Sequence, residues 1–315
     1  MEFQHEPVLL NEVISRMDLQ PAGVYVDCTL GGAGHSLAML QAQPSIHLIG
    51  IDQDPQALEV AKQRLAGYAA QVTLIHSNYR YIAQVLRNLS IEQVDGVLMD
   101  IGVSSPQLDQ AERGFSYQHD APLDMRMNPD ATLTAQVLVN TLSETELAKI
   151  IWDYGEERWA KRIANFIVAK RQSGSIERTG DLVEIIKAAI PAQARRGGPH
   201  PAKRTFQALR IQVNEELDVL TEGLSQAVTV LRPTGRLCVI TFHSLEDRIV
   251  KATFRELAKG CICPPDFPIC VCGKQPLVKL ITGKPEVAQE AELVRNPRAR
   301  SAKLRVCERL LLKEG

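Results

Sequence analysis

Asp27, Asp52 and Asp100 each close a short apolar run: Val24-Tyr25-Val26, Ile49-Gly50-Ile51 and Val97-Leu98-Met99. A carboxylate that ends a buried strand is costly unless something cationic or hydrogen-bonding meets it, so such acids point to a ligand. Asp27 opens Asp27-Cys28-Thr29-Leu30-Gly31-Gly32-Ala33-Gly34-His35, which leads into the helical run Ser36-Leu37-Ala38-Met39-Leu40. The three glycines let the turn adopt φ > 0 and let a ligand approach closely, while the N–H groups that open the helix face the same ligand. A tight strand-to-helix turn with no ligand is the plainer alternative. Asp27 decides against a dinucleotide, because a carboxylate repels a pyrophosphate and attracts a cationic amino-acid moiety. Asp52 lies at the distance along a βαβ unit of a carboxylate that takes two ribose hydroxyls. Acids at both strand ends suit a ligand that is nucleoside at one end and zwitterionic amino acid at the other. S-adenosylmethionine fits that description and NAD fits it poorly, the more so as no G-x-G-x-x-G spacing is present.

Asp100 starts Asp100-Ile101-Gly102-Val103-Ser104-Ser105-Pro106-Gln107, across the cleft from the glycine turn in a doubly wound sheet. The chemistry this suggests is methyl transfer to an exocyclic amine. The sulfonium carbon is already activated, and the difficulty lies in a nitrogen lone pair delocalised into a ring. A carboxylate or carbonyl that accepts the N–H bonds draws that pair out of conjugation. Asp100 is the first candidate, in the acceptor's hydrogen bonds or in holding the adenine or methionine end; an N-cap is the plain alternative. Tyr79, past the third strand, is placed to wall the adenine or merely to pack. His35 reads as a ligand contact or a cap, and Gln107 as a contact or a loop residue. In Thr241-Phe242-His243-Ser244-Leu245-Glu246-Asp247-Arg248, His243 is a candidate proton relay on the acceptor side. Hydrolysis is not suggested, since no G-x-S-x-G elbow is present.

The elements that must position these residues alternate. Strands at 24–27, 49–52, 72–75 and 94–100 are separated by short helices, one of them opened by Asp54-Pro55 as N-cap and N1 pair and one at 81–89. The rhythm then breaks into helices without strands. Ser143-Glu144-Thr145-Glu146 is a capping box for a helix that stops near Gly155; Trp159, Ile163, Phe166 and Ile167 mark a second; Thr179 caps a third, ended by Pro191. From Phe206 to Leu231 apolar residues recur at three- and four-residue steps, which predicts one long amphipathic helix. A fifth strand at 236–242 follows, with 277–281 and 303–309 available as the last two.

At 315 residues, 45% hydrophobic and 23% charged, the chain has the composition of an ordinary globular protein with room for a large α/β domain and an insertion. Met1 to Glu6 carries no basic or apolar leader, and no apolar run spans a bilayer, so no membrane partner and a cytoplasmic location are expected. With a net charge of −1, a nucleic acid must be held by local patches. Two are present. One contains Arg195, Arg196, Lys203 and Arg204 in a Gly/Pro loop; the other, Asn296 to Arg305, contains Arg298 and Arg300. Both read as RNA phosphate contacts. Seven cysteines do not form a secreted disulfide pattern. Cys261, Cys263, Cys270 and Cys272 bracket a Pro-rich loop, but C-x-C pairs are less diagnostic than C-x-x-C, and no metal is assigned to them.

At these residues the chain closely resembles the bacterial ribosomal RNA small subunit methyltransferase H family, also called MraW. The matching segments are His5 to Leu10, Asp27 to Ser36, Ile51-Asp52, Asp100 to Asp109, Glu112 to Ser116, Pro122 to Met127, Tyr154 to Glu157, Arg204 to Ala208, Thr241 to Val250 and Asn296 to Arg305. The resemblance implies a class I, Rossmann-like methyltransferase sheet with a helical substrate domain inserted between strands 4 and 5. That gives a discontinuous methyltransferase domain at 1–105 and 204–315 and an insertion at 106–203. It implies S-adenosylmethionine on Ala33, Gly34, His35, Asp52, Tyr79, Asp100 and Gln107, with Asp27 added by the charge reading above. The implied reaction is methylation of the exocyclic N4 of a cytidine in the decoding region of 16S rRNA, with the base unstacked into the cleft. The partners expected are 16S rRNA and the small ribosomal subunit, and a homodimer is left open. Amino-directed DNA methyltransferases of the D-P-P-Y type carry an aromatic after the fourth strand. Here Asp100-Ile101-Gly102-Val103 has none, which turns the search for a base-stacking ring to Phe115 or Tyr117. An amine methyltransferase of the same fold acting on a protein or small molecule is the main alternative. A non-catalytic binding module and an NAD oxidoreductase are weaker ones.

Overall fold

The computed structural model describes residues 7–196, 198–264, 269 and 271–312. In chain order the strands are β1 (Val24–Asp27), β2 (His47–Asp52), β3 (Val72–His76), β4 (Val94–Asp100), β5 (Leu231–Thr241), β6 (Val278–Leu280) and β7 (Lys303–Arg309). The helices are α1 (Leu10–Met17), α2 (Gly34–Ala42), α3 (Pro55–Arg64), α4 (Ile82–Asn88), α5 (Ser105–Asp109), α6 (Ala135–Thr141), α7 (Glu144–Gly155), α8 (Ala160–Arg171), α9 (Thr179–Ala189), α10 (Lys203–Val213), α11 (Glu216–Val230), α12 (Ser244–Ala258) and α13 (Glu290–Arg295). They group into two compact units, 1–102 with 217–315 and 103–216. No helix among the described residues is long and apolar enough to cross a membrane.

The first unit is the class I α/β sheet, ordered β3-β2-β1-β4-β5-β7-β6, parallel except for the antiparallel pairings of β7 with β5 and β6. Both faces are covered, and the strand sequences show why. Side chains alternate across a strand, so a strand buried on both sides must be apolar at every position. Val26, Ile49, Val97, Met99, Leu237 and Val239 face one core with α4, α11 and α12. Tyr25, Leu48, Leu98, Cys238 and Ile240 face the other with α1, α2 and α3. β1 lies between β2 and β4, where the strand order reverses, and ligands of open α/β sheets bind beyond the carboxyl ends at such a point. In register Asp27 pairs with Gly50 and with Leu98, so the flanking strands run two residues further to Asp52 and Asp100. Three acids therefore close three adjacent strands.

The second unit is helical. α7 begins in the capping box expected at Ser143 and Glu146, and Leu147, Ile151, Ile163, Ile167, Leu182 and Ile186 share one core. Thr179 does not cap α9: its hydroxyl donates to the carbonyl of His119 at 2.6 Å and accepts from the Ala121 amide at 2.9 Å, and Arg178 is the N-cap. The expected single helix from Phe206 to Leu231 is two. Glu215, at φ 49°, breaks it between α10 and α11, and the apolar period runs across the break because both halves bury a stripe. Phe206, Leu209 and Val213 lie in the helical core while Leu220, Leu224 and Val228 lie on the sheet. The second unit consequently extends to Glu216 rather than stopping at residue 203.

Candidate active site

The glycine turn is built differently from the expectation that its glycines supply the left-handed conformations. Only Gly31 does, at φ 48°; the other left-handed residue is Ala33, at φ 56°, the N-cap of α2. An alanine there costs about 1 kcal/mol or more, which the surrounding structure must offset. Gly34 answers a packing demand, since a Cβ on it would lie 2.3 Å from Cγ of Pro7. Pro7 and Val8 are buried against the turn, and the Val8 carbonyl lies 2.9 Å from Nε2 of His35. His5 and Glu6 of the same motif lie outside the described residues.

The strand-end acids are held by the chain around them. Asp27 is 2% exposed; it accepts from the Ser36 hydroxyl at 2.7 Å and the Thr29 amide at 3.2 Å. Asp52 accepts from the Gly31 amide at 2.8 Å and the Asp54 amide at 2.9 Å, so it shapes the turn and keeps one acceptor direction free on each oxygen. Asp54 in turn caps α3, as expected. The Asp100 amide donates to the Thr29 hydroxyl at 2.7 Å, which ties the end of β4 to the β1 turn. Oδ1 of Asp100 is buried without a hydrogen-bond partner, and Oδ2 lies 3.7 Å from Nδ1 of His35, too far to bond.

Burial raises all three carboxyls above the usual range. Asp27 is pushed up to about 6, partly offset by the Ser36 and Thr29 hydrogen bonds. Asp52 is pushed up to about 6. Asp100 is pushed up to about 8 by burial and then by the charges of Asp27 and Glu246. Among the described residues no lysine or arginine forms an ion pair with any of them. His35 does not compensate either, because burial lowers it to about 4 and keeps it neutral. The three strand ends thus gather carboxyl groups whose ionised forms are disfavoured, with no ion-paired lysine or arginine among the described residues.

Beyond β5, His243 is the N-cap of α12, its Nδ1 facing the Glu246 amide at 3.5 Å and its Nε2 lying 2.9 Å from Oε1 of Glu246. Glu246 is fully buried and accepts from the amides of Phe242 at 2.8 Å and His243 at 3.1 Å. The sequence reading gave His243 no capping role and did not single out Glu246, although the S/T-x-x-E capping box has the same spacing with histidine as its first residue. Phe242 was also passed over. Asp100 pairs with Ile240, so Gly102 and Phe242 follow in step, and a Cβ on Gly102 would lie 3.3 Å from the Phe242 ring. The aromatic absent from the β4 end stands at the β5 end.

The remaining candidates fall as follows. Tyr79 is half-buried and one face of its ring is taken by Gly223, where a Cβ would come within 2.5 Å. Gln107 belongs to the helical unit; its Oε1 accepts from the Ser104 amide at 3.1 Å. Phe115 is buried in the helical core, and Tyr117 stacks on His200 at 4.6 Å, so both rings are engaged inside that unit. Arg195, Arg196, Lys203 and Arg204 are exposed, but the last two open α10 rather than lying in a loop, and Arg204 donates to the Glu156 carbonyl at 3.2 Å. Arg298 and Arg300 are exposed on a short 3₁₀ turn at Pro297–Ser301. Arg305, at the end of the same basic run, is buried against Asp247 at 2.7 Å and is structural.

Residues 2–310 match the model of the MraW methylase family. The chain belongs to that family. Among its relatives, the ribosomal RNA small subunit methyltransferase H of Heliobacterium modesticaldum is 58% identical over 312 residues, covering 98% of this chain and 100% of that one. The protein of the same name from Symbiobacterium thermophilum is 58% identical over 311 residues, covering 98% of each chain. That of Clostridioides difficile is 55% identical over 311 residues, covering 98% of this chain and all of its own. Membership makes the chain a methylase.

Proposed function

We propose that this protein transfers the methyl group of S-adenosylmethionine to the exocyclic N4 of a cytidine in the decoding region of 16S rRNA in the small ribosomal subunit. The observation that carries the reading is the set of three carboxyls raised by burial, Asp52 and Asp100 also by the charge of Asp27, with no ion-paired lysine or arginine among the described residues. A ligand bearing a sulfonium and an ammonium relieves that repulsion, and a phosphate-bearing one aggravates it. Relatives at 55–58% identity are named for methylation of small-subunit ribosomal RNA, which supports the substrate class.

Asp52 is suited to the ribose hydroxyls, since each of its oxygens has one acceptor direction left. Asp27, with the turn from Ala33 to His35, is suited to the amino-acid end. When bound, S-adenosylmethionine supplies an electrophilic methyl carbon with a neutral thioether as leaving group. The orphaned Oδ1 of Asp100 accepts an N–H of the acceptor amine and offsets the positive charge that develops on nitrogen. His243, held through Glu246 whose charge acts on Asp100, is suited to relay the proton then lost. Phe242 offers a ring at the β5 end for the base.

The test offers purified protein and methyl-labelled S-adenosylmethionine to small subunits from cells lacking the enzyme, with naked 16S rRNA alongside, followed by digestion to nucleosides. Label in N4-methylcytidine is the expected result. No label in either RNA, with cofactor binding intact, overturns the reading in favour of a protein or small-molecule acceptor. The exposed basic residues give a second expectation. Replacing Arg298 and Arg300 together by glutamate should weaken binding to subunits about tenfold or more at moderate salt, and flatten the slope of log affinity against log salt by about 2. An unchanged slope removes these two residues from the RNA interface.

A further inference from the structure

The connection from α12 to β6, residues 259–277, is long for a compact domain and forms neither helix nor strand among its described residues. Its stem is closed, since the Leu277 amide donates to the Leu257 carbonyl at 2.8 Å. Leu277 packs on the sheet core at the end of the stem, but the apolar side chains further out do not: Ile262, Ile269 and Val271 are 54%, 74% and 73% exposed. What converges inside it is sulfur. The Sγ atoms of Cys261, Cys263 and Cys272 all lie within 4.8 Å of one another, with Cys261 and Cys272 at 3.7 Å. Sulfurs bound tetrahedrally to zinc at about 2.3 Å are separated by about 3.8 Å.

The backbone is arranged around the same three atoms. The Cys263 amide points at Sγ of Cys261, the Ile262 amide at Sγ of Cys272, and the Val271 amide at Sγ of Cys263, each at 3.4 Å. Each sulfur thus has one backbone N–H beside it, the outer-shell hydrogen bond that a metal-bound sulfur accepts.

We propose that Cys261, Cys263 and Cys272 hold a structural zinc ion that clips this connection into one conformation. Thiolate ligands select zinc over magnesium, calcium or manganese. Binding replaces three S–H bonds by three Zn–S bonds and releases three protons to solvent, so affinity rises with pH. Cys270, two residues before Cys272 in sequence, lies outside the described residues, and the site is argued from the other three alone. It is independent of the methyl-transfer reading.

The test uses the full chain, purified without chelator from zinc-supplemented cells. Metal analysis should find one zinc per chain. Cobalt exchanged into the protein should give the intense near-ultraviolet charge-transfer absorption of cobalt–thiolate bonds. Cys261→Ser combined with Cys272→Ser should lower bound metal at least tenfold with unchanged far-ultraviolet circular dichroism; Cys263→Ser is the second variant should that pair fail to fold. Chelation of the wild type should speed proteolysis within 259–277 at least fivefold, with no such effect on the double variant. Metal-free protein whose thiols all react with a thiol reagent, a Cys261–Cys272 disulfide in its place, or zinc retained by the double variant would each overturn the proposal.

Discussion

Asp100→Asn should lower the rate of methyl transfer at least ~10²-fold while raising the melting temperature of the protein. The two effects have one cause. Asp100 ends β4 with one oxygen buried and unbonded, beside the charges of Asp27 and Glu246, and its carboxyl is pushed up to about 8. In the unfolded chain the same carboxyl ionises at its ordinary value of 3.8. A folded-state value above the unfolded one contributes stability that is fully present below about pH 4 and is lost as the pH rises toward about 8. At pH 8 the ligand-free protein therefore carries most of that penalty, and the isosteric amide, which cannot ionise, escapes it. The side chain keeps 24% of its exposure, so water takes up part of the strain. A gain on the order of 1–3 kcal/mol remains, roughly 2–8 °C. The gain should shrink toward nothing at pH 4, which thermal melts across that range would read directly. The loss of activity follows because an amide carries no negative charge to set against the developing cation. Near-normal turnover by the variant would remove Asp100 from the chemistry, and an unchanged melting temperature would remove the electrostatic strain.

Asp52→Asn should instead damage binding. Its carboxylate keeps an acceptor direction on each oxygen after holding the Gly31 and Asp54 amides. Charge-assisted hydrogen bonds to the two ribose hydroxyls are worth about 1.5–3 kcal/mol each when lost outright. The amide retains one oxygen and the shape of the side chain, so the expected rise in the Kd for S-adenosylmethionine is about 10- to 100-fold. The kcat at saturating cofactor should stay within about threefold, because the proposed arrangement puts Asp52 at the nucleoside end and not at the reacting carbon. Calorimetry for Kd and steady-state kinetics for the KM-against-kcat split would check this. A collapsed kcat at unchanged KM would place Asp52 at the reacting end.

Much of the sheet was legible in the residues because local and global demands agree there. Residues 24–26, 48–51 and 96–99 run without a charged side chain, as a strand covered on both faces must, and each run stops at an acid. The helical unit was legible where capping chemistry is local, as at Ser143 and Glu146, and misread where a side chain serves a distant partner, as Thr179 serves residues 119 and 121. The apolar period across 206–231 was real, but period alone cannot tell one helix from two that bury the same stripe against different cores.

By itself the sequence determined which residues could bear charge at the strand ends, and hence the kind of ligand proposed: Asp27, Asp52 and Asp100 are fixed in type and spacing before any folding is considered. Only the tertiary structure decided what each of them meets. Parallel register brings the ends of β2 and β4 to either side of β1, which sets the charge of Asp27 against both Asp52 and Asp100. Pairing of Asp100 with Ile240 brings the Phe242 ring to Gly102, and folding of the 259–277 connection brings three sulfurs to one point. Each of these is a long-range contact, and its free energy depends on burial and distance, which the local chain does not carry.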